Sequence, residues 1–320
     1  MPTALTVFID QKYLYPAVVM LQSANKHLDP DLNFVIGTFI GELSNQDKAA
    51  VTKMFSSTPR KISFIEISKQ KLIDEIQHID TKEHFGHAAF GRLLLQEFIA
   101  ERHIYSDVDV VFTPGSQKVL REIPDANLPG FVNQAPALAR SGLAFDPKNK
   151  EFFSGFISWP SREHRPKLAL KAREPWKSRY STHDQALLNC TLKSNYIELT
   201  TDLCQLDNPE LRKSNFRPGI VHFFGNWKPW HAKTKSRRAC QKADCSWVFW
   251  FQQEDDALAL ANEYNLGTWL LSQRERGYAG QSFNLKAMQF LLSSATTIGL
   301  DDFFSSLFRK FFGGEYHLVH

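Results

Sequence analysis

The peptide Ile104-Tyr105-Ser106-Asp107-Val108-Asp109-Val110-Val111-Phe112 places two carboxylates at i and i+2 where an apolar run breaks. At strand spacing both project to one side of the backbone. Ionised and close together they repel, and burial among apolar neighbours adds to the cost. A divalent cation offsets both effects. Oxygen ligands that leave open positions suit Mg²⁺ or Mn²⁺ bridging the phosphates of a substrate. An exposed turn after a strand accounts for the same residues, because Asp-x-Asp alone is common.

Three further peptides weigh toward the cation. Val221-His222-Phe223-Phe224-Gly225-Asn226-Trp227-Lys228-Pro229-Trp230 sets an imidazole at a strand end, then a glycine and a lysine that both suit a diphosphate. An imidazole completes the coordination of a carboxylate-bound metal and favours Mn²⁺ over Mg²⁺. The same histidine, in so aromatic a setting, also fits a purely structural role. Thr182-His183-Asp184-Gln185-Ala186-Leu187 puts an acid and an amide at a helix start, where Asp184 can also serve as a cap. Phe152-Phe153-Ser154-Gly155-Phe156-Ile157 is a strand whose small pair lets a ligand come close.

The elements that must hold these residues follow from hydrophobic period. Leu5–Ile9, Asn33–Phe39, Lys61–Ile67 and His103–Phe112 read as strands, the last breaking into acids midway. Helical patterns lie between them at Tyr15–Asn25, Gln46–Phe55, Lys71–Ile79 and His84–Ala100. This alternation implies an α/β chain with a mostly parallel sheet covered on both faces, and ligands beyond the carboxyl ends of its strands. The second half is less regular. Strands are expected at Gly130–Leu138, Phe152–Trp159, Tyr196–Leu199 and Ile220–Phe224, a helix at Asp184–Leu192, and helices from Glu254 onward.

Composition sets the class. The chain has 320 residues, 43% hydrophobic and 22% charged, which excludes a mainly disordered chain, a collagen-like repeat and a disulfide scaffold. A net charge of +4 is too weak to indicate nucleic acid, and none is expected as a partner. Basic residues nonetheless cluster, from Arg162 to Arg179 and again from Lys228 to Lys242, which suits an anionic substrate or an anionic membrane surface. No run reaches the ~20 apolar residues of a membrane span, and the N-terminal residues lack a secretory signal. The expected compartment is the cytoplasm, with Cys190, Cys204, Cys240 and Cys245 as free thiols. Cys240, Cys245 and His231 match no common zinc spacing.

In order along roughly the first 230 residues, these peptides resemble the family 8 glycosyltransferases, retaining enzymes of the GT-A fold. Phe8-Ile9-Asp10-Gln11-Lys12-Tyr13 is similar to the family's first strand and nucleotide-binding turn, and Phe90-Gly91-Arg92-Leu93-Leu94 to its Tyr-x-Arg-Leu helix. Tyr105 to Asp109 matches Tyr-Leu-Asp-Ala-Asp, Asp184-Gln185 matches Asp-Gln, and His222 to Trp230 matches His-x-x-Gly-x-x-Lys-Pro-Trp. Phe153 stands where the family has asparagine, Phe90 where it has tyrosine, and Ser106 where it has an aliphatic residue.

The resemblance implies a Rossmann-like mixed sheet flanked by helices, with a nucleotide-binding half over about 1–112; with the helical pattern that follows it, the chain divides into a catalytic domain over 1–250 and a helical C-terminal region over 251–320. It implies that Asp107, Asp109 and His222 hold Mn²⁺, with Mg²⁺ as the other candidate, on the diphosphate of a UDP-sugar. Asp10 and Tyr13 are then expected at the uracil and the Val108 backbone at the ribose. Arg92 should reach the sugar or the acidic pair. Gly155 allows close approach, Gly225 and Lys228 hold phosphate, and Asp184 and Gln185 act near the sugar. An amide is a poor nucleophile, so Gln185 is expected to position and stabilise. The reaction expected is transfer of a hexose to a glycan, with an inverting transferase, a nucleotidyltransferase and a non-catalytic sugar-nucleotide or glycan-binding protein as alternatives.

Near the end, Phe303, Phe304, Leu307, Phe308, Phe311 and Phe312 fall on one helical face, with Arg309 and Lys310 on the other. Such a stripe docks on its own domain or lies in a membrane interface. The second option fits a lipid-anchored acceptor and peripheral attachment to the inner leaflet.

Overall fold

The computed structural model describes residues 2–76, 88–132, 152–168, 184–192, 195–199, 205–206, 219–223, 228–231, 237 and 247–279. The strands β1 (Ala4–Phe8), β2 (Asn33–Phe39), β3 (Ile62–Ile67) and β4 (His103–Ser106) run parallel in the order β3-β2-β1-β4. Between them lie α1 (Leu14–His27), α2 (Asn45–Met54), α3 (Lys69–Ile76) and α4 (Ala88–Leu95). The expected helix to Ala100 ends early: after Leu95 the chain tightens into a 3₁₀ turn at Gln96–Phe98 and Ile99 is extended.

The single strand expected from His103 to Phe112 is two. After β4 the chain turns through Asp107–Asp109 and re-enters as β5 (Val110–Phe112), which belongs to a different sheet. Following α5 (Ser116–Arg121), β6 (Gly130–Val132) and β7 (Phe153–Trp159) return to the first sheet. Beyond them come α6 (Asp184–Leu192), β8 (Ile197–Leu199), β9 (Gln205–Leu206) and β10 (Ile220–His222). Among the described residues the large sheet has seven strands, β3-β2-β1-β4-β7-β6-β8, with β7 antiparallel to both neighbours; the small one is β5-β10-β9. The chain ends, among described residues, in α7 (Trp247–Glu263) and α8 (Gly267–Ala279).

Two apolar layers cover the large sheet, because alternate strand residues face opposite ways. Leu5 and Val7 of β1, Phe34 and Ile36 of β2 and Ile104 of β4 join α1, α7 and the small sheet in one core. Phe8, Phe39 and Tyr105 face the other way and join α4, α6 and Trp159 in the second. Helices on both faces leave the carboxyl ends of β1, β2 and β4 as the open edge of the fold. No helix among the described residues is long and apolar enough to cross a membrane. Residues 280–320, with the expected apolar stripe, lie outside the described residues, as do Gly225, Cys240 and Cys245.

Candidate active site

Asp107 leaves the end of β4 and Asp109 precedes β5, so the crossing between the two sheets carries both acids. His222 ends β10, where it pairs with Val110, and the Phe223 N–H donates to the Asp109 carbonyl at 2.8 Å. That antiparallel ladder is what brings an imidazole more than a hundred residues away onto the acidic turn. One ligand atom each from Asp107, Asp109 and His222 lies within 4.8 Å of the others.

Gly155 makes the convergence possible. The Asp107 N–H donates to its carbonyl at 2.8 Å, which sets β7 directly under the triad. A Cβ there would stand 2.5 Å from His222 Cε1 and 3.0 Å from an Asp107 oxygen. Only glycine leaves that space to the three side chains.

The donor set fits a divalent cation. Asp109 Oδ1 is buried, accepts no hydrogen bond, and faces His222 Nε2 at 3.2 Å. Two carboxylates and an imidazole are hard and borderline ligands of the kind that hold Mg²⁺ or Mn²⁺. Asp107 is about a third exposed, at 31% of its side chain, so one side of the triad opens to solvent and to a substrate.

Cationic side chains flank the acids. Lys228 Nζ pairs with Asp109 Oδ2 and donates to the Phe223 carbonyl at 2.8 Å. Burial alone would raise the Asp109 carboxyl, but Lys228 and then His222 override it and hold it well below the ordinary carboxylate range. Arg92, on the buried face of α4, donates to Asp107 at 2.9 Å and to the Ser154 carbonyl and hydroxyl at 2.7 Å, and it pairs with Asp184. Asp107 and Tyr105 keep that buried guanidinium charged against its desolvation. Arg92 therefore reaches the acidic pair, and the Asp184 carboxylate at the start of α6 is occupied by Arg92.

Gln185 is half-buried beside β7, its Oε1 at 3.4 Å from both Ser154 N and Oγ. Asn189 fixes that helix start by exchanging hydrogen bonds with the Phe152 backbone at 3.1 and 3.2 Å. Phe153 lies on the same face of β7 as Gly155, and its ring meets His222 edge-on at 6.3 Å.

The turn after β1 lies at the same open edge. Asp10 caps the 3₁₀ turn Gln11–Tyr13, accepting from Lys12 N at 2.9 Å and Tyr13 N at 3.3 Å. Burial raises its carboxyl pKa, partly countered by those N–H groups. Tyr13 is 42% exposed, yet desolvation of its hydroxyl and then Asp10, Asp109 and Asp107 push it up to about 12. The triad's field thus reaches this turn. Val108 packs partly buried against the core between the two acids.

Sequence reading singled out neither Tyr105, whose hydroxyl donates to Asp107 at 2.7 Å, nor Ser154, which anchors Arg92. Both stand inside peptides that carry the motif, and that adjacency was the available signal. Nothing in the motif spacing points to α8, whose Gln273 meets Gln11 at 2.7 Å.

Known proteins share this fold. Residues 4–234 match the model of a family described as glycosyl transferase family 8. No curated protein sequence matches the chain. Among solved structures, the galactosyltransferase LgtC, in complex with donor and acceptor sugar analogues, is 17% identical with a TM-score of 0.61 over 79% of this chain and 95% of that one. The bifunctional glycosyltransferase WbbM is 15% identical, TM-score 0.57, over 85% of this chain and 51% of its own. The glycosyltransferase GlyE of Streptococcus pneumoniae is 15% identical, TM-score 0.53, over 78% of this chain and 63% of its own. At these identities the structures share the GT-A fold alone. With the family model spanning both sheets, the acidic turn and Lys228, this chain belongs to glycosyl transferase family 8.

Proposed function

We propose that this glycosyltransferase moves a hexose from a UDP-sugar to a glycan acceptor with retention at the anomeric carbon, Mn²⁺ being held by Asp107, Asp109 and His222. The observation that carries the reading is the meeting of three ligand atoms within 4.8 Å, beside Lys228 and open on the Asp107 side. Bound there, the ion supplies Lewis-acid stabilisation of the diphosphate.

The chain's own residues do the rest. Cleavage of the anomeric C–O bond leaves an anionic diphosphate and an oxocarbenium-like sugar. The Lys228 ammonium faces the leaving charge, where preorganised cations lower a barrier most. Asp10 accepts from the uracil N–H, the Tyr13 ring stacks on the base, and the Val108 backbone faces the ribose. Gly155 leaves room for the sugar above β7. Arg92 holds Asp107 and Asp184 in place, and Gln185 with Asp184 orients the sugar for attack. Gly225 completes the phosphate side by the motif it occupies. The acceptor we infer is lipid-linked, on the strength of the apolar stripe Phe303–Phe312 in the sequence. Deleting Asp301–His320 should then release the protein from anionic vesicles, and unchanged partition would remove that part of the reading.

A thermal-shift panel of UDP-sugars with and without Mn²⁺ tests the core of it. A native-state ligand at a hundred times its Kd adds about 2.7 kcal/mol of apparent stability. One UDP-sugar should raise the melting temperature only with Mn²⁺, and NMR of the product should show the donor's anomeric configuration retained. No Mn²⁺-dependent shift from any UDP-sugar, or an inverted product, would refute the proposal.

A further inference from the structure

Helix α8 lies beyond the residues that match the family, yet one stripe of it touches both ends of the candidate site. Leu270, Gln273, Arg274 and Gly277 stand at i, i+3, i+4 and i+7, on a single face. Leu270 is fully buried in the core that α1 and α7 share. Gln273, also fully buried, meets the Gln11 amide at 2.7 Å. Gly277 lies against the Lys12 carbonyl so closely that a Cβ would come within 2.7 Å of it. These two residues hold the turn that carries Asp10 and Tyr13.

Arg274 points the other way along the stripe. Its Nε donates to the Trp230 carbonyl at 3.2 Å. Trp230 sits in the 3₁₀ turn Pro229–His231, which the His231 N–H closes onto the Lys228 carbonyl at 3.0 Å. The Trp230 ring stacks at a tilt on Trp250 with centroids 5.0 Å apart, so the turn has an apolar anchor and a polar one. The polar anchor is itself held: Arg274 lies 3.9 Å from buried Glu254 and 5.8 Å over the Tyr15 ring.

We propose that α8 is the brace that sets the spacing of the donor site, and that Arg274 is the positioning residue for Lys228, acting through the Trp230 carbonyl. The inference rests on the reading of the site given above. The Glu254 carboxylate, 3.9 Å from that same Arg274 Nε, and the Tyr15 ring under the guanidinium hold the group in place, so the carbonyl meets a donor of defined direction. Lys228 then leaves its turn at one angle, with its ammonium on Asp109 and facing the place where a diphosphate docks. An arginine that only neutralised Glu254 would affect stability without acting through Lys228.

A double-mutant cycle separates these roles. Affinity for UDP in the presence of Mn²⁺ is measured by calorimetry for the wild type, Arg274→Met, Lys228→Met and the double variant, with melting temperatures alongside. Arg274→Met should weaken UDP about five- to tenfold in the wild-type background and by less than about twofold once Lys228 is gone, since residues acting as a unit are not additive. Arg274→Lys keeps the charge near Glu254 and should recover stability more fully than affinity. Equal losses in both backgrounds, or full affinity in Arg274→Met, would overturn the positioning role while the site reading stood. A wild type that fails to bind UDP with Mn²⁺ would overturn the site reading and this inference with it. Should Arg274→Met not fold, Gly277→Ala tests the brace from its other end: its Cβ must push the Lys12 carbonyl away, and it should weaken UDP equally with or without Lys228.

Discussion

Asp109 and Glu254 are both buried carboxylates ringed by positive or donating groups, and the two rings are finished differently. Glu254, fully buried on α7, is saturated: Tyr15 donates at 2.5 Å, Arg237 pairs at 3.0 Å and Arg274 stands at 3.9 Å. Asp109 has Lys228 on one oxygen, while the other accepts no hydrogen bond and faces His222. Next to Glu254 the neighbours are a hydroxyl and cations that satisfy it; next to Asp109 lies a second carboxylate, the part-open Asp107. A saturated buried charge fastens helices together, here α1 to α7 and α8. An unsaturated one that opens to solvent is held ready for something that binds. Burial and charge alone do not tell the two apart; the second carboxylate and the imidazole converging beside Asp109 do.

The sharpest way to break the comparison is to remove the acids in turn. Asp109→Ala should lower Mn²⁺ affinity by at least about a hundredfold, because even outer-shell changes cost ten- to a hundredfold at metal sites. Titration of the metal alone checks this, and unchanged affinity would place the cation elsewhere. Glu254→Gln should leave Mn²⁺ affinity as it is and cost about 2 kcal/mol of stability. That lies under the usual penalty for breaking a buried pair, because the Arg237 and Arg274 side chains keep 22% and 27% exposure. Denaturant midpoints measure it, and a loss of Mn²⁺ binding in this variant would erase the distinction drawn here.

A third buried group sharpens it further. His103 ends up beside Arg165, and burial followed by that cation lowers its pKa to about 3. In the unfolded chain the imidazole titrates near 6.5. Between those values the unfolded state binds the proton and the folded state does not. Stability from this group is therefore complete above about pH 6.5 and lost on acidification, by about 1.4 kcal/mol at pH 5.5. His103→Asn should remove that share of the slope in a plot of urea midpoint against pH. The smallest effect belongs to an exposed pair, Lys26 with Asp256 at 2.6 Å. Lys26→Ala should change stability by less than about 0.5 kcal/mol, with both ions half in water.

The first half of the fold was legible because its signals are local. Leu5–Ile9, Asn33–Phe39 and Lys61–Ile67 are apolar runs separated by helical periods, and strands form there within a residue, at Ala4–Phe8, Asn33–Phe39 and Ile62–Ile67. The Asp107–Asp109 turn was legible as chemistry, since two acids ending an apolar strand require an explanation. Its architecture was not. His103–Phe112 reads as one interrupted strand, and nothing in its period says that Val110 leaves the sheet of Ser106 to pair with His222. The helix expected over His84–Ala100 was visible in the part described, Ala88–Leu95, but its early end at Leu95 was not, because the 3.6-residue pattern continues to Phe98 after the backbone has tightened. Helix α8 carries no recognisable motif, and its stripe of Gln273, Arg274 and Gly277 gains meaning only from what it touches.

Which groups are available, and roughly where each element lies, is written in the order of residues: two acids two residues apart, a distant imidazole and lysine, and a chain alternating between strand and helix. Those properties are encoded in neighbouring side chains and in the steric limits of the backbone. That Gly155 lies beneath Asp107 and His222, that Lys228 rests on Asp109, that Arg92 joins Asp107 to Asp184, and that α8 touches both ends of the site came from the folding of the whole chain. Such meetings depend on strand pairings and helix contacts between residues distant along the chain. The free energy of those contacts comes from the packing of whole layers and not from any one peptide.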